Sequence, residues 1–86
     1  MSENNKVIIY TSSLCSFCYK AKSLLQRKKI VFLEINIDIN NNFRSEMIKK
    51  TKGKTSVPQI FFGDYHIGGC DELYKLEQEN GLEKLS

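Results

Sequence analysis

The distribution of apolar residues over the first forty positions restricts the fold more than any other feature of this chain. Val7-Ile8-Ile9-Tyr10 is short and continuously apolar, which suits a strand over Lys6–Tyr10 covered on both faces in a parallel arrangement. After the polar connector Thr11-Ser12-Ser13, the stretch to about Lys28 sets Cys18, Ala21, Leu24 and Leu25 at helical spacing, a narrow inward stripe. Val31 to Ile39 then alternates with period two. Val31, Leu33, Ile35, Ile37 and Ile39 are expected on the buried face, against Phe32, Glu34, Asn36 and Asp38. Strand, helix and strand within about thirty residues make a right-handed βαβ unit with parallel strands.

The remainder continues this alternation. Asn40-Asn41-Asn42 is a polar break with capping residues, and a second helix is expected from Phe43 to Lys52, with Phe43, Met47 and Ile48 inward and Gly53 as its stop. Lys54-Thr55-Ser56-Val57-Pro58 holds the single proline and leads into a strand, Gln59-Ile60-Phe61-Phe62. Gly63-Asp64-Tyr65 reads as a hairpin turn and His66-Ile67-Gly68 as the returning strand, with His66 facing solvent. Gly68-Gly69 opens the backbone before a helix from Cys70-Asp71 to about Asn80. Gly81 ends that helix, and Leu82 and Leu85 cap the core. The order β-α-β-α-β-β-α predicts an α/β fold, a four-stranded mixed sheet flanked by helices, one domain over residues 1–86; with Cys15 and Cys18 at the start of the first helix, this is the thioredoxin-like arrangement.

Within this frame, Cys15-Ser16-Phe17-Cys18 falls at the start of the first helix. Unpaired N–H groups and the positive end of the helix macrodipole stabilise an anion there. The thiolate is the reactive form of cysteine, and such surroundings lower its pKa to roughly 3.5–7.5. Cys15 lies at the exposed end and Cys18 in the inward stripe, so thiol–disulfide chemistry at Cys15 with Cys18 as resolving partner is the reading favoured. A zinc site also satisfies the residue count, since Cys70 and His66 would complete a Cys3His set. Against it, zinc knuckles sit in tight turns, not at the entrance of a helix behind a buried strand, and no metal is expected.

Composition narrows the setting. Three cysteines, an odd count in 86 residues, argue against a disulfide-stapled secreted scaffold. Met1–Lys6 is polar and the apolar run after it is too short for a signal peptide or membrane span, so a reducing, cytoplasmic location with no membrane partner is expected. The net charge of +3 comes from lysine clusters at Arg27–Lys29 and Lys49–Lys54. No aromatic residues are interleaved with them for base stacking, so nucleic acid is not expected as a partner. A mildly basic rim suits a small anionic ligand instead.

Taken together and in this order, four features resemble the glutaredoxin family, closest to its small bacterial dithiol members. They are Tyr10-Thr11 leading to Cys15-Ser16-Phe17-Cys18, then Thr55-Ser56-Val57-Pro58, then Gly68-Gly69-Cys70-Asp71, then the Asp71-Glu72-Leu73 helix. The resemblance implies glutathione as cofactor, and disulfide-containing or glutathionylated proteins as partners of a monomer. It implies that Cys15 attacks the glutathionylated sulfur of a mixed disulfide, that a second glutathione regenerates the thiol, and that Cys18 serves for intramolecular protein disulfides. It further implies a cis Val57-Pro58 bond, with the Val57 N–H and C=O pairing with the cysteinyl backbone of glutathione as an added strand does. Phe17, Ser56, Val57, Pro58, Gly69, Cys70 and Asp71 would make the binding site. Gly69 would allow close approach, the Cys70 and Asp71 N–H groups would hold the γ-glutamyl carboxylate, and Asp71 would pair with the ammonium. Plainer roles stand beside these: an N-cap for Asp71, the start of a strand for Val57-Pro58, an apolar filler for Cys70.

Three positions depart from the family pattern. Ser16 stands where the family has proline and Phe17 where it has tyrosine, which keeps an apolar wall but loses a hydroxyl. Ser12 stands where a lysine is common, and Lys54 or a neighbouring lysine would have to compensate. Ser16 also keeps open an alternative, a carrier holding a 2Fe-2S cluster between two protomers through Cys15 and glutathione. A thioredoxin-like electron donor is a further alternative, disfavoured by the absence of tryptophan and by Gly69-Cys70-Asp71.

Overall fold

The computed structural model describes residues 6–85, with the backbone alone at 84 and 85. Its elements are β1 (Val7–Thr11), α1 (Ser16–Arg27), β2 (Phe32–Asn36), α2 (Asn41–Lys50), β3 (Gln59–Phe62), β4 (Tyr65–Gly68) and α3 (Cys70–Gln78), followed by a 3-10 turn (Gly81–Leu85). One sheet has the order β2-β1-β3-β4, with β1 parallel to β2 and antiparallel to β3, and β3 antiparallel to β4. This is the four-stranded mixed sheet of the thioredoxin-like fold.

β1 is central, and its alternation feeds two cores. Val7 and Ile9 pack with Ala21, Leu24 and Leu25 of α1 and with Leu73 of α3 on one face. Tyr10, with Ile8 beside it, packs on the other face with Met47 of α2 and Phe61. A strand clothed on both sides has no polar face to show, hence its continuous apolar run. The stripe on α1 is buried as expected: Cys18, Ala21, Leu24 and Leu25.

The second strand differs from its sequence pattern. It ends at Asn36, where Asp38 N–H donates to Asn36 Oδ1 at 2.8 Å and turns the chain, so Ile39 is 76% exposed in a turn. Val31 precedes the strand and is 90% exposed, and Leu33 is half exposed. The cause is tertiary. β2 is an edge strand, and α2 buries Ile37 and half-covers Ile35 but does not extend over Leu33, while Phe32, assigned to the polar face, packs on the α1 side.

Other boundaries move for local reasons. α2 begins at Asn41 instead of Phe43 because Asn40 caps it, its side chain accepting from Asn42 N–H at 2.8 Å. The helix stops at Lys50, and Gly53, at φ +116, closes the end by donating its N–H to Ile48 O at 2.8 Å. The hairpin turn is Gly63-Asp64 alone, since Tyr65 pairs with Phe62. α3 ends at Gln78, ahead of Gly81, and Asn80 (φ +62) takes the left-handed conformation after it. Leu82 is fully buried, whereas the Leu85 side chain lies outside the described residues. Among the described residues no helix is long and apolar enough to cross a membrane.

Candidate active site

Strand direction decides what meets at one edge of the sheet. The end of β1, the start of β3 and the end of β4 are neighbours, because β3 runs against β1 and β4 against β3. Each of these ends leads into one of the segments singled out in the sequence.

Beyond β1, Cys15 is the N-cap of α1. Its Sγ accepts the Cys18 N–H at 3.0 Å, satisfying one of the helix's free donors. Cys15 and Cys18 are joined as a disulfide with their Cα atoms 5.2 Å apart. Cys15 is partly exposed, whereas Cys18 is 2% exposed beneath it. Of the two, only the Cys15 side is open to solvent.

Before β3, the Val57-Pro58 peptide bond is cis, and the Val57 carbonyl oxygen lies 3.8 Å from Cys15 Sγ. Val57 sits two residues ahead of the first ladder pair, Tyr10 with Gln59, so it stands outside the sheet's own pairing. Thr51 anchors the loop behind it: its hydroxyl donates to Met47 O at 2.8 Å and receives the Lys54 N–H at 3.0 Å.

Beyond β4, Gly68 has φ +124, a conformation that L side chains rarely adopt. A Cβ there would lie 2.7 Å from Glu72 Cγ. The N-cap of α3 is Gly69, not Asp71, and its N–H donates to Glu72 Oε1 at 2.8 Å. A Cβ on Gly69 would lie 3.3 Å from Pro58 O, so at this glycine the proline segment approaches closely. The N–H groups of Cys70 and Asp71 belong to the first turn of α3 and have no carbonyl of their own helix to bond.

These segments enclose a cleft of about 460 Å³, within the size of small-molecule sites. Phe17, Ser56, Val57, Pro58, Gly69, Cys70 and Asp71 all line it. Lys54 is there too, the lysine considered as a substitute for the one missing at Ser12. The lining thus includes a cation together with the carboxylates of Asp71 and Glu72.

Gln59, His66, Gly68 and Glu72 also line the cleft and were not foreseen there. His66, expected to face solvent, is half-buried. Its ring stacks on Phe61 with centroids 4.7 Å apart, and its Nε2 is 2.7 Å from Gln59 Oε1. Burial holds the His66 pKa below the ordinary histidine value, Lys54 pushes the same way, and Glu72 opposes them. A buried glutamine beside a proline, at a strand start, was the available signal. Cys70 is a free, buried thiol whose pKa is raised chiefly by burial, with Lys20 opposing and Asp71 and Glu72 adding to the rise. The zinc set does not assemble: among the described residues no group of three or more His, Cys, Asp or Glu is placed to hold a metal ion.

Comparison with known proteins agrees with this geometry. The glutaredoxin family model matches residues 7–67. Glutaredoxin 3 of Escherichia coli (strain K12) is 51% identical over 79 residues, spanning 92% of this chain and 94% of its own length. Glutaredoxin 1 of Rickettsia prowazekii is 45% identical over 80 residues, spanning 92% of this chain and 84% of its own. The solution structure of a glutaredoxin from Brucella melitensis superposes with a TM-score of 0.79 at 46% identity, over 93% of this chain and 86% of that one. A cysteine pair at the head of a helix, in this fold and with these relatives, is that of a thiol–disulfide oxidoreductase, and the chain belongs to the glutaredoxin family.

Proposed function

We propose that this protein uses glutathione to reduce glutathionylated proteins and protein disulfides, with Cys15 as nucleophile and Cys18 as resolving thiol. The observation that carries the reading is the 3.8 Å separation of Cys15 Sγ from Val57 O. It sets the reacting sulfur against a length of main chain that is outside the sheet's ladder and open to an added peptide strand.

The cleft's chemistry suits a zwitterionic tripeptide. Val57 N–H and C=O would take the central cysteinyl residue, presenting its sulfur to Cys15. The Cys70 and Asp71 N–H groups at the start of α3 would hold one carboxylate, and Asp71 the neighbouring ammonium. Lys54 lies on the cleft wall for the other carboxylate, and Phe17 closes an apolar side. Ser56 and Pro58 hold the shape of the wall.

In the reduced protein the Cys15 thiolate is stabilised by the Cys18 N–H and the dipole of α1. It attacks the glutathionyl sulfur of a mixed disulfide. The new Cys15–glutathione S–S bond forms as the old one breaks, and the departing protein thiolate takes a proton from water. Cys15 is freed when the thiolate of a second glutathione displaces it, yielding glutathione disulfide. With an intramolecular protein disulfide, Cys15 instead becomes joined to the protein. Cys18, held 5.2 Å away by Cα separation, then attacks Cys15 Sγ and releases the second protein thiolate. The compartment is the cytoplasm, where glutathione is reduced.

The test compares Cys15→Ser and Cys18→Ser on a glutathionylated peptide. Cys15→Ser abolishes turnover, while Cys18→Ser retains a large part of it because that substrate needs no resolving thiol. Equal loss in both variants overturns the mechanism.

A further inference from the structure

We propose that His66 is a positioning residue that acts through Gln59 to hold the Ser56–Val57 wall of the cleft. The proposal rests on the reading above in one respect, that this wall binds the glutathionyl group.

Gln59 is 4% exposed, at the first position of β3. Its side-chain nitrogen donates to Ser56 O at 3.0 Å and lies 3.3 Å from Ser56 Oγ. Its Oε1 therefore has to face the other way, where His66 Nε2 lies at 2.7 Å. This bond fixes two orientations at once. The glutamine amide cannot turn over without setting oxygen against the Ser56 carbonyl, and the histidine must carry its proton on Nε2.

The strand pairing makes the bond possible. β3 and β4 shift register between Ile60 and Phe61, so that Ile60 pairs with Gly68 and Phe61 with His66, leaving Ile67 as the extra residue. The imidazole then lies over Phe61, with the two rings only 20° from parallel. Gln59, two positions before Phe61, shares that face of β3. Ser56 is the residue before Val57, so a single relay of two side chains joins the returning strand to the wall beside Cys15.

If His66 loses its N–H donor, Oε1 of a buried amide is left unpaired, which is unfavourable. The amide is then free to reorient, and the Ser56 carbonyl is no longer pinned. The effect falls on binding of the substrate at the wall, not on the sulfur chemistry.

The experiment uses the full chain in its reduced form, with His66→Phe, which keeps a ring on Phe61, and His66→Gln, which keeps an N–H donor. His66→Phe raises KM for a glutathionylated peptide by about three- to tenfold with kcat within about twofold, and His66→Gln stays close to the parent. Exchange of the Gln59 side-chain amide protons, which are held on Ser56 O, speeds up in His66→Phe alone. An unchanged KM and exchange rate in His66→Phe, equal impairment of His66→Gln, or a fall in kcat that tracks a lowered thermal midpoint would each overturn the proposal. Should the parent protein not favour the glutathionylated peptide over the same peptide carrying a methylthio group, the functional reading fails. The exchange comparison at the Gln59 side-chain amide still judges the relay independently.

Discussion

Replacing Gly68 by alanine perturbs the cleft at the joint between β4 and α3, and its effect is computable from two separate causes. At φ +124 an L residue is strained, which costs about 1–3 kcal/mol. The new Cβ would also lie 2.7 Å from Glu72 Cγ and 2.8 Å from Glu72 Cβ. Those atoms are near the root of the side chain, so Glu72 cannot swing away at its tip and must leave its place. Its Oε1 then gives up the Gly69 N–H, a lost helix cap of about 0.5–2 kcal/mol. Together the loss is about 1.5–5 kcal/mol, a large share of the 5–15 kcal/mol typical of a folded domain. At about 4–8 °C per kcal/mol for a chain of this size, the thermal midpoint falls by about 6–40 °C. Gly53→Ala is the internal control. It has a similar φ of +116 but nothing within 4 Å of the added Cβ, so it carries the strain without the displaced cap. The assay is guanidinium unfolding of all three proteins at equal m-value. If Gly68→Ala lies within about 0.5 kcal/mol of the parent, or is no worse than Gly53→Ala, the capping argument is wrong.

Two further outcomes follow from the titrating groups. In the reduced protein at neutral pH, brief iodoacetamide treatment labels Cys15 and spares Cys70, because burial disfavours the Cys70 thiolate; peptide mass spectrometry reads the sites, and prompt labelling of Cys70 in the folded chain refutes this. Burial acts to raise the Glu34 pKa, but the hydrogen bond from Thr11 at 2.7 Å and the Lys22 ammonium at 3.0 Å outweigh it and leave the value lowered. A lowered folded pKa means stability present above the ordinary carboxylate range and lost as pH falls through the folded value. Glu34→Gln therefore lowers the thermal midpoint at neutral pH by a small amount, under about 1 kcal/mol at so exposed a site, and the gap closes in strong acid. A gap that persists there assigns the effect to packing.

Much of this molecule was legible in the residues because local chemistry and fold agree. β1 has one pattern compatible with burial on both faces, and α1 has one stripe that reaches the core. Asn40 hid in plain view: three asparagines in a row identify a cap without saying which one caps. The errors at β2 have another origin. Period-two alternation says that Leu33 and Ile35 share a face, but the reach of α2 decides that one is half exposed and the other packed. His66 was misjudged for the same kind of reason, since alternation cannot foresee a bulge that lays an imidazole along Phe61 and against Gln59. The nine residues expected at the site did come together, seven of them around one cleft with Cys15 at its lip, because their spacing in the chain matches three strand ends.

That convergence bears on how the protein acquires its chemistry. The cysteine pair is complete once a short amino-terminal segment has been synthesised, whereas the opposing wall comes from residues 54–72, delivered only when β3 has been laid against β1 and β4 against β3. A partly made or partly unravelled chain consequently carries thiols without a pocket to select what they meet. The cleft beside them is a feature of the finished sheet, and it lasts only as long as β3 and β4 keep their places.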